Sequence, residues 1–136
     1  MSHLPSQTVQ RTFLIFLVSF FLNLIWENLH SFLYAGYMGG KITEFILLRA
    51  SVADAGIITL LSLLFMSVPS LKRKSWLIIF VGVLIAIFIE LYALNTGRWA
   101  YNEYMPMIPI LGVGLTPTIQ LGLLGYLSYW FVAGKK

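Results

Sequence analysis

The chain has 136 residues, of which 59% are hydrophobic and only 10% are charged. A soluble domain carries about 25% charged residues, so this composition excludes a soluble enzyme and predicts an integral membrane protein. The absence of cysteine excludes disulfides, thiolate metal sites and thiol catalysis, and the net charge of +4, which is split among the helix ends, does not indicate nucleic-acid binding.

Four apolar stretches are long enough to cross a bilayer. A hydrocarbon core takes roughly 20 helical residues to cross, and only helices or closed barrels satisfy their backbone hydrogen bonds in lipid. The runs are continuous rather than alternating, which indicates helices. The sequence therefore predicts an all-α, polytopic membrane protein, a four-transmembrane-helix bundle that forms one domain over residues 1–136, with helices at about 12–34, 50–68, 76–94 and 108–133.

The first helix has one polar side. Asn23, Glu27, His30 and Tyr34 follow one another at i, i+4, i+7 and i+11, which is a single stripe on a helix. Charged side chains at membrane depth cost roughly 2.5–3.5 kcal/mol on insertion scales, so they turn toward the bundle interior and mark functional sites. A cleaved signal peptide is the competing interpretation of residues 1–35, but the apolar run is long and has no clear small-x-small site, and we expect a retained helix.

The start of the second helix has two interpretations. Residues 42–50, ITEFILLRA, form either a short interfacial helix or an early start of the second span. Asp54 follows Ser51 at the spacing of a capping box, which is a structural reason for an acid at this position. The functional interpretation places Asp54 about one turn into the helix, level with the acids of the other helices.

The third helix carries one acid, Glu90, near its end. Gly82 and Ala86 lie one and two turns below it and suit a tight contact with another helix. The short hairpin at 71–76 predicts that the second and third helices are antiparallel neighbours. Glu90 either belongs to a site, reaches the membrane interface, or pairs with Arg98 in the aromatic loop that follows.

The fourth helix contains a proline within its predicted span. Pro117 leaves the carbonyl of Val113 without its usual intrahelical partner and so predicts a kink. Gly112, Thr116 and Gln120 share one face of this helix, and the kink would add hydrogen-bonding groups to that face. A kink that only shapes packing is the alternative.

Lysine and arginine divide unevenly between the two sides of the predicted bundle. Six lie on the side of the termini and three on the other, which predicts cytoplasmic termini in a multi-pass protein of the cell membrane, the inner membrane in bacteria. The six are Arg11, Lys72, Arg73, Lys74, Lys135 and Lys136, and the three are Lys41, Arg49 and Arg98. Alternating helix directions then bring every membrane-depth acid to the outer half of the bundle.

These acids predict one polar pocket with Arg98 at its mouth. Glu27 is the candidate catalytic proton donor and His30 its partner, and the structural alternative is that this pair only holds helices together. The candidate ligand-binding residues are Asn23, Asp54, Glu90, Arg98, Trp99, Tyr101 and Gln120. The Glu-x-x-His spacing of Glu27 and His30 occurs once, whereas di-iron bundles need it twice, so no metal is expected. The alternative is one ion held by Glu27, His30, Asp54 and Glu90.

Two stretches of sequence support a resemblance. WENLHSFLY, a mid-chain Asp, Glu90 and GRWAYNEYMPMIPILGVGLTPTIQ together resemble a group of small, functionally uncharacterised four-helix bacterial membrane proteins. The order Glu90, TGRWAY, proline loop and GVGLTP is more distantly similar to membrane-embedded carotenoid cyclases and hydratases. The paired acids that those cyclases carry are replaced here by the segment Thr118 to Gln120. The resemblance implies an isoprenoid or similar lipid as ligand and an acid placed to donate a proton.

Three functions are compatible with the sequence. The first is a carboxylate-rich pocket that binds or modifies a lipid or isoprenoid-like ligand, and the sequence leaves open whether it is an enzyme. The second is a non-catalytic accessory or scaffold subunit of a larger membrane complex. The third is a proton-coupled homodimeric transporter. The sequence identifies no cofactor, and the expected partners are the lipid bilayer, such a ligand, and either complex partners or a second copy.

Overall fold

The computed structural model describes residues 6–134, so Lys135 and Lys136 of the charge count lie outside it. The described chain is mostly helical. Its helices are α1 (Ser6–His30), α2 (Glu44–Ser67), the short α3 (Pro69–Lys72), α4 (Leu77–Asn95) and α5 (Leu115–Ala133). Two antiparallel ribbons, which the all-α prediction did not include, pair β1 (Tyr34–Tyr37) with β2 (Trp99–Tyr101) and β3 (Met107–Ile108) with β4 (Val113–Gly114).

Three of the helical segments are long and apolar enough to cross a membrane. They are Ser6–Leu33, Glu44–Ser67 and Leu77–Asn95. Their outer faces carry large apolar side chains such as Leu60 and Phe88, each 71% exposed, as expected for surfaces that contact lipid rather than water. α5 is as long as α4 but more polar, and its polar side chains are buried among the other helices.

The boundaries of α1 and α2 differ from the predicted ones. α1 ends at His30, and a 3₁₀ turn then leads into β1, so Tyr34 is not helical as predicted. α2 begins at Glu44, capped by the side chain of Thr43, which identifies residues 42–50 as the early start of this helix. The predicted capping box at Ser51 is wrong, because Ser51 lies inside α2 and its hydroxyl donates to the carbonyl of Leu47.

The helix that the sequence analysis predicted as the fourth span is α5, and it begins later than predicted. Residues 107–114 form the β3–β4 ribbon, in which Ile110 and Gly112 have positive φ angles of 76° and 70°. α5 starts at Leu115, so Pro117 lies in its first turn. The first N–H groups of a helix have no intrahelical partner, and proline at this position breaks no hydrogen bond. The predicted kink at Val113 is therefore wrong, because Val113 precedes the helix.

The four long helices are not equally close neighbours. α1 packs against α2 and α5, and α4 packs chiefly against α5. α2 and α4 make few contacts with each other, although the short connection between them predicted close neighbours. Their separation leaves space between them at the strand end, which we define as the end of the bundle where α1 and α4 end and α2 and α5 begin.

Candidate functional site

A cavity of about 400 Å³ opens between α2 and α4 at the strand end. This volume is within the range of ligand pockets. Its walls are mainly aliphatic and include Ile46, Ala50, Ala53 and Ile57 of α2 and Ala86 and Ile89 of α4. Glu27, Asp54, Glu90 and Gln120 also line the cavity. An apolar space with a few convergent polar groups is the usual form of a small-molecule site.

The carboxamide of Gln120 joins three helices beneath this cavity. Its Nε2 lies 2.8 Å from Oδ1 of Asn23 and 3.0 Å from Oε1 of Glu27, both on α1. The same nitrogen lies 3.1 Å from Oδ2 of Asp54 on α2. An amide nitrogen has two hydrogens, so it can donate to only two of these three acceptors at one time. The cluster therefore needs another proton to satisfy all of its oxygens.

That proton has a place between two carboxyl groups. Glu27 and Asp54 lie close together, because one carboxyl oxygen of each is within hydrogen-bonding distance of the same nitrogen of Gln120. Two carboxylates this close repel each other, and a proton shared between them would remove one of the two negative charges. Two carboxyl groups that share one proton can supply it to a bound molecule or receive one from it. This chemistry resides in the pair rather than in Glu27 alone.

His30 lies beside the carboxyl pair but is not among the residues that line the cavity. Its Nδ1 is hydrogen-bonded to Oγ1 of Thr116 at 2.9 Å. Its Nε2 lies 3.6 Å from Oε2 of Glu27, a distance within ion-pair range but too long for a hydrogen bond. The rings of Trp26 and Tyr34 contact the imidazole edge-on. His30 is thus a buried neighbour of Glu27 that Thr116 holds in place.

Glu90 is bound by aromatic side chains and not by Arg98. Its Oε1 accepts hydrogen bonds from the hydroxyl of Tyr101 at 2.5 Å, Nε1 of Trp99 at 3.2 Å and the hydroxyl of Tyr34 at 3.4 Å. The structural alternative of a Glu90–Arg98 pair is therefore wrong: the β1–β2 ribbon places its own donors on this carboxylate. Glu90 is 5% exposed, so it does not reach the membrane interface either.

The aromatic residues of the β1–β2 ribbon close the strand end above Glu90. Tyr34 pairs with Tyr101 and Tyr37 with Trp99 across the two strands. Burial and the nearby carboxylate of Glu90 raise the pKa of Tyr34 and of Tyr101 well above the ordinary tyrosine value. Both hydroxyls therefore stay protonated and remain donors to Glu90. The hydroxyl of Tyr101 also accepts the backbone N–H of Gly114, which ties the second ribbon to the first.

Two arginines meet at the mouth of the cavity. Nη2 of Arg49 donates to the hydroxyl of Tyr37 at 3.1 Å, and Nη2 of Arg98 donates to the same hydroxyl at 3.2 Å. All three residues line the cavity and Arg98 is exposed. Arg98 lies at the mouth, where the sequence placed it. The partnership with Tyr37 and Arg49 was not predicted, because it depends on how the loops fold.

The alternative metal site does not form. Within residues 6–134 no three histidine, aspartate or glutamate side chains are arranged so that they could hold a metal ion. His30 is hydrogen-bonded to Thr116, and Oε1 of Glu90 accepts hydrogen bonds from the aromatic residues of the β1–β2 ribbon.

Apart from His30, which is hydrogen-bonded to Thr116, the predicted site residues fall into three groups. Asn23, Glu27, Asp54 and Gln120 form one hydrogen-bonded cluster. Glu90, Trp99 and Tyr101 form a second one with Tyr34. Arg98 belongs to the mouth. Sequence reasoning missed Tyr37 and Arg49, and the only signal available for Arg49 was its charge beside an apolar span.

Comparison with protein-family models, curated proteins and solved structures finds no match to this chain. The site must therefore be interpreted from its own chemistry.

Proposed function

We propose that this chain is a four-span protein of the cell membrane that binds a lipid or isoprenoid-like molecule in the cavity between α2 and α4. The observation that carries the proposal is the form of the cavity: aliphatic walls, two carboxyl groups that share Gln120 at its base, and an opening between two helices that make few contacts. A hydrocarbon chain in the bilayer can enter between such helices without crossing water.

The carboxyl pair of Glu27 and Asp54 gives the bound molecule a proton source. Because the pair lies beside aliphatic walls, an apolar molecule that fills the cavity would displace water and bring a double bond or polar group against an acid. Glu27 is the proton donor in this proposal, and Gln120 and Asn23 hold its orientation. The distant similarity to carotenoid cyclases and hydratases, which also act on apolar lipids, is consistent with this chemistry.

Filling the cavity is expected to remove the lipid. Ala53 lines the cavity and is exposed, so the substitution Ala53→Phe adds bulk to the cavity without displacing the core. We expect the amount of lipid that co-purifies in mild detergent, measured by extraction and mass spectrometry, to fall about tenfold. Val52→Phe is the matched control, because Val52 is 47% exposed on the same helix and does not line the cavity.

The same purification also tests the role of Glu27 and the two competing functions. Glu27→Gln is expected to fold and insert normally, since shape and hydrogen bonding are nearly kept, but to retain less lipid or to retain it in a form with different chromatographic behaviour. Unchanged lipid in both Ala53→Phe and Glu27→Gln would refute the proposal. Fixed protein partners in place of lipid would favour the accessory-subunit hypothesis, and proton-coupled flux by a dimer would favour the transporter.

The proposed orientation has its own test. We propose that α5 is the fourth span and that both termini are cytoplasmic, which puts residues 95–107 outside. The native chain has no cysteine, so single cysteines can be introduced at Ser70 and Glu103, both exposed. A membrane-impermeant maleimide added to intact cells should label Glu103→Cys and leave Ser70→Cys unlabelled until the membrane is opened. The reverse pattern would mean the opposite orientation.

A further inference from the structure

The two arginines at the cavity mouth carry charge that no carboxylate compensates. Within residues 6–134 the only pair of opposite charges at ion-pair distance is His30 with Glu27. Arg49 and Arg98 share one neutral acceptor, the hydroxyl of Tyr37, so their Nη2 atoms, which lie 3.1 and 3.2 Å from it, are at most about 6.3 Å apart. Two like charges this close repel, and an anion between them would remove the repulsion.

The arginines are also held in position. The guanidinium of Arg49 lies over the ring of Phe45, 5.8 Å from its centre, one turn earlier on α2. Arg98 precedes β2, and its backbone carbonyl accepts the N–H of Met38 at 2.7 Å, which ties it to the chain next to Tyr37. The ring of Tyr37 stacks on Trp99 with a centroid distance of 6.3 Å. Groups fixed in this way lose little freedom when they bind an anion.

The position of the two arginines at the mouth of the cavity restricts the kind of anion that could bind them. Arg49 and Asp54 both line the cavity, and they are five residues, about 7.5 Å, apart along α2. A bound molecule therefore meets cations at the mouth and aliphatic walls and carboxyl groups further in. Its anionic end must lie at the mouth, because the carboxyl pair and Glu90 would repel it from the interior.

Guanidinium groups match phosphate oxygens in geometry as well as charge, since each presents paired N–H donors in one plane. Two arginines supply two positive charges. A phosphomonoester carries a charge of about −1.5 to −2 near neutral pH, whereas a phosphodiester carries one negative charge. The charge of the pair thus favours a terminal phosphate over the diester of a bulk phospholipid.

We propose that Arg49 and Arg98 bind the terminal phosphate of a lipid whose hydrocarbon chain lies in the cavity between α2 and α4. This inference rests on the proposed function and narrows its ligand to a phosphomonoester lipid. Tyr37 positions the two arginines, and the phosphate replaces or joins its hydroxyl as their shared acceptor.

The test measures lipid binding to the full chain in non-ionic detergent by titration calorimetry. The probes are dioleoyl phosphatidic acid and farnesyl monophosphate as phosphomonoesters, phosphatidylglycerol as a diester, phosphatidylcholine as a lipid without net charge, and inorganic phosphate. We expect both phosphomonoesters to bind about tenfold more tightly than phosphatidylglycerol, and Arg49→Gln or Arg98→Gln to remove that advantage. Preference between the two phosphomonoesters tells a glycerolipid from an isoprenoid source.

Arg73→Gln is the matched control, since it removes the same charge at the opposite end of the bundle and should leave binding unchanged. Equal binding of all anionic lipids, or an equal loss in Arg73→Gln, would reduce the effect to general electrostatics and overturn the inference. Inorganic phosphate that binds as tightly as the lipids would also overturn it. If phosphatidylcholine binds best and Ala53→Phe abolishes that binding, the cavity function stands and the phosphate inference fails. If Ala53→Phe changes the binding of none of the lipids, the proposed function itself fails.

Discussion

Gly122→Leu is expected to yield no folded protein, because the backbones of α4 and α5 touch at this residue. A Cβ atom on Gly122 would collide with the carbonyl oxygen of Ile79, and one on Gly82 would lie 2.5 Å from the Cα of Gly122. Neither neighbour is a flexible side chain that can move aside. α4 packs chiefly against α5, so a change at this crossing separates the two helices along much of their length.

The smaller change Gly122→Ala tests the same contact on a graded scale. Overpacking a close contact costs about 1–3 kcal/mol or more, so this variant should unfold at a lower temperature than wild type in detergent. Gly56→Ala is the matched control: nothing lies within 4 Å of the Cβ that it adds inside α2. There alanine should stabilise by about 0.5–1 kcal/mol through better helix propensity. Equal effects of the two substitutions would show that the α4–α5 contact does not limit stability.

Hydropathy predicted α4 well and the other helix ends less well. The apolar run of α4 is bounded by a basic hairpin and by Thr96-Gly97, so its predicted end at 94 differs from the observed Asn95 by one residue. At the end of α1 the sequence stays apolar and aromatic after His30, although the chain leaves the helix. What makes that segment a strand is its pairing of Tyr34 and Tyr37 with residues more than 60 positions away, which local patterns do not contain.

The start of α5 shows the same limit. MPMIPILGVG continues the apolar run toward the helix, so a span defined by hydropathy begins at 108 rather than at Leu115. The signal that was available is the pair Pro106 and Pro109, which favours extended backbone before each proline. Pro117 also has a positional meaning, because proline is tolerated in the first turn of a helix and disfavoured in its interior.

The sequence predicted at which end of the bundle the polar residues lie, but it did not predict which residues they form hydrogen bonds with. Alternating helix directions were enough to expect Glu27, Asp54 and Gln120 at one end of a bundle, and the structure brings these three together. That Gln120 is the shared donor depends on the rotation of α5 about its axis. Glu90 binds Tyr34, Trp99 and Tyr101 because two loops pair with each other, which no local pattern in the sequence shows. The functional roles of these site residues stay predictions.

Glu90→Leu is expected to release the β1–β2 ribbon from α4. Three side chains donate to one oxygen of Glu90, and leucine accepts none of their hydrogen bonds. Hydrogen bonds to a charged group contribute about 1.5–3 kcal/mol each and do not add fully when they share an acceptor, so we expect a loss of about 3 kcal/mol or more in stability. Thermal unfolding in detergent measures the loss of stability, and hydrogen exchange of residues 99–101 measures the release of the ribbon.

A series of three substitutions separates the effect of losing the hydrogen-bond acceptor from the effect of changing the shape of the side chain. Glu90→Gln keeps one carbonyl oxygen that can still accept from Tyr101 and Trp99, so it should lose much less stability than Glu90→Leu, and residues 99–101 should stay protected from exchange. Tyr101→Phe removes the shortest of the three hydrogen bonds, 2.5 Å long, and should fall between them. Because the ribbon forms part of the cavity mouth through Tyr37 and Trp99, Glu90→Leu should also reduce lipid retention, whereas Glu90→Gln should not. If Glu90→Leu unfolds at the wild-type temperature with residues 99–101 still protected, the ribbon is held by its strand pairing and aromatic contacts alone.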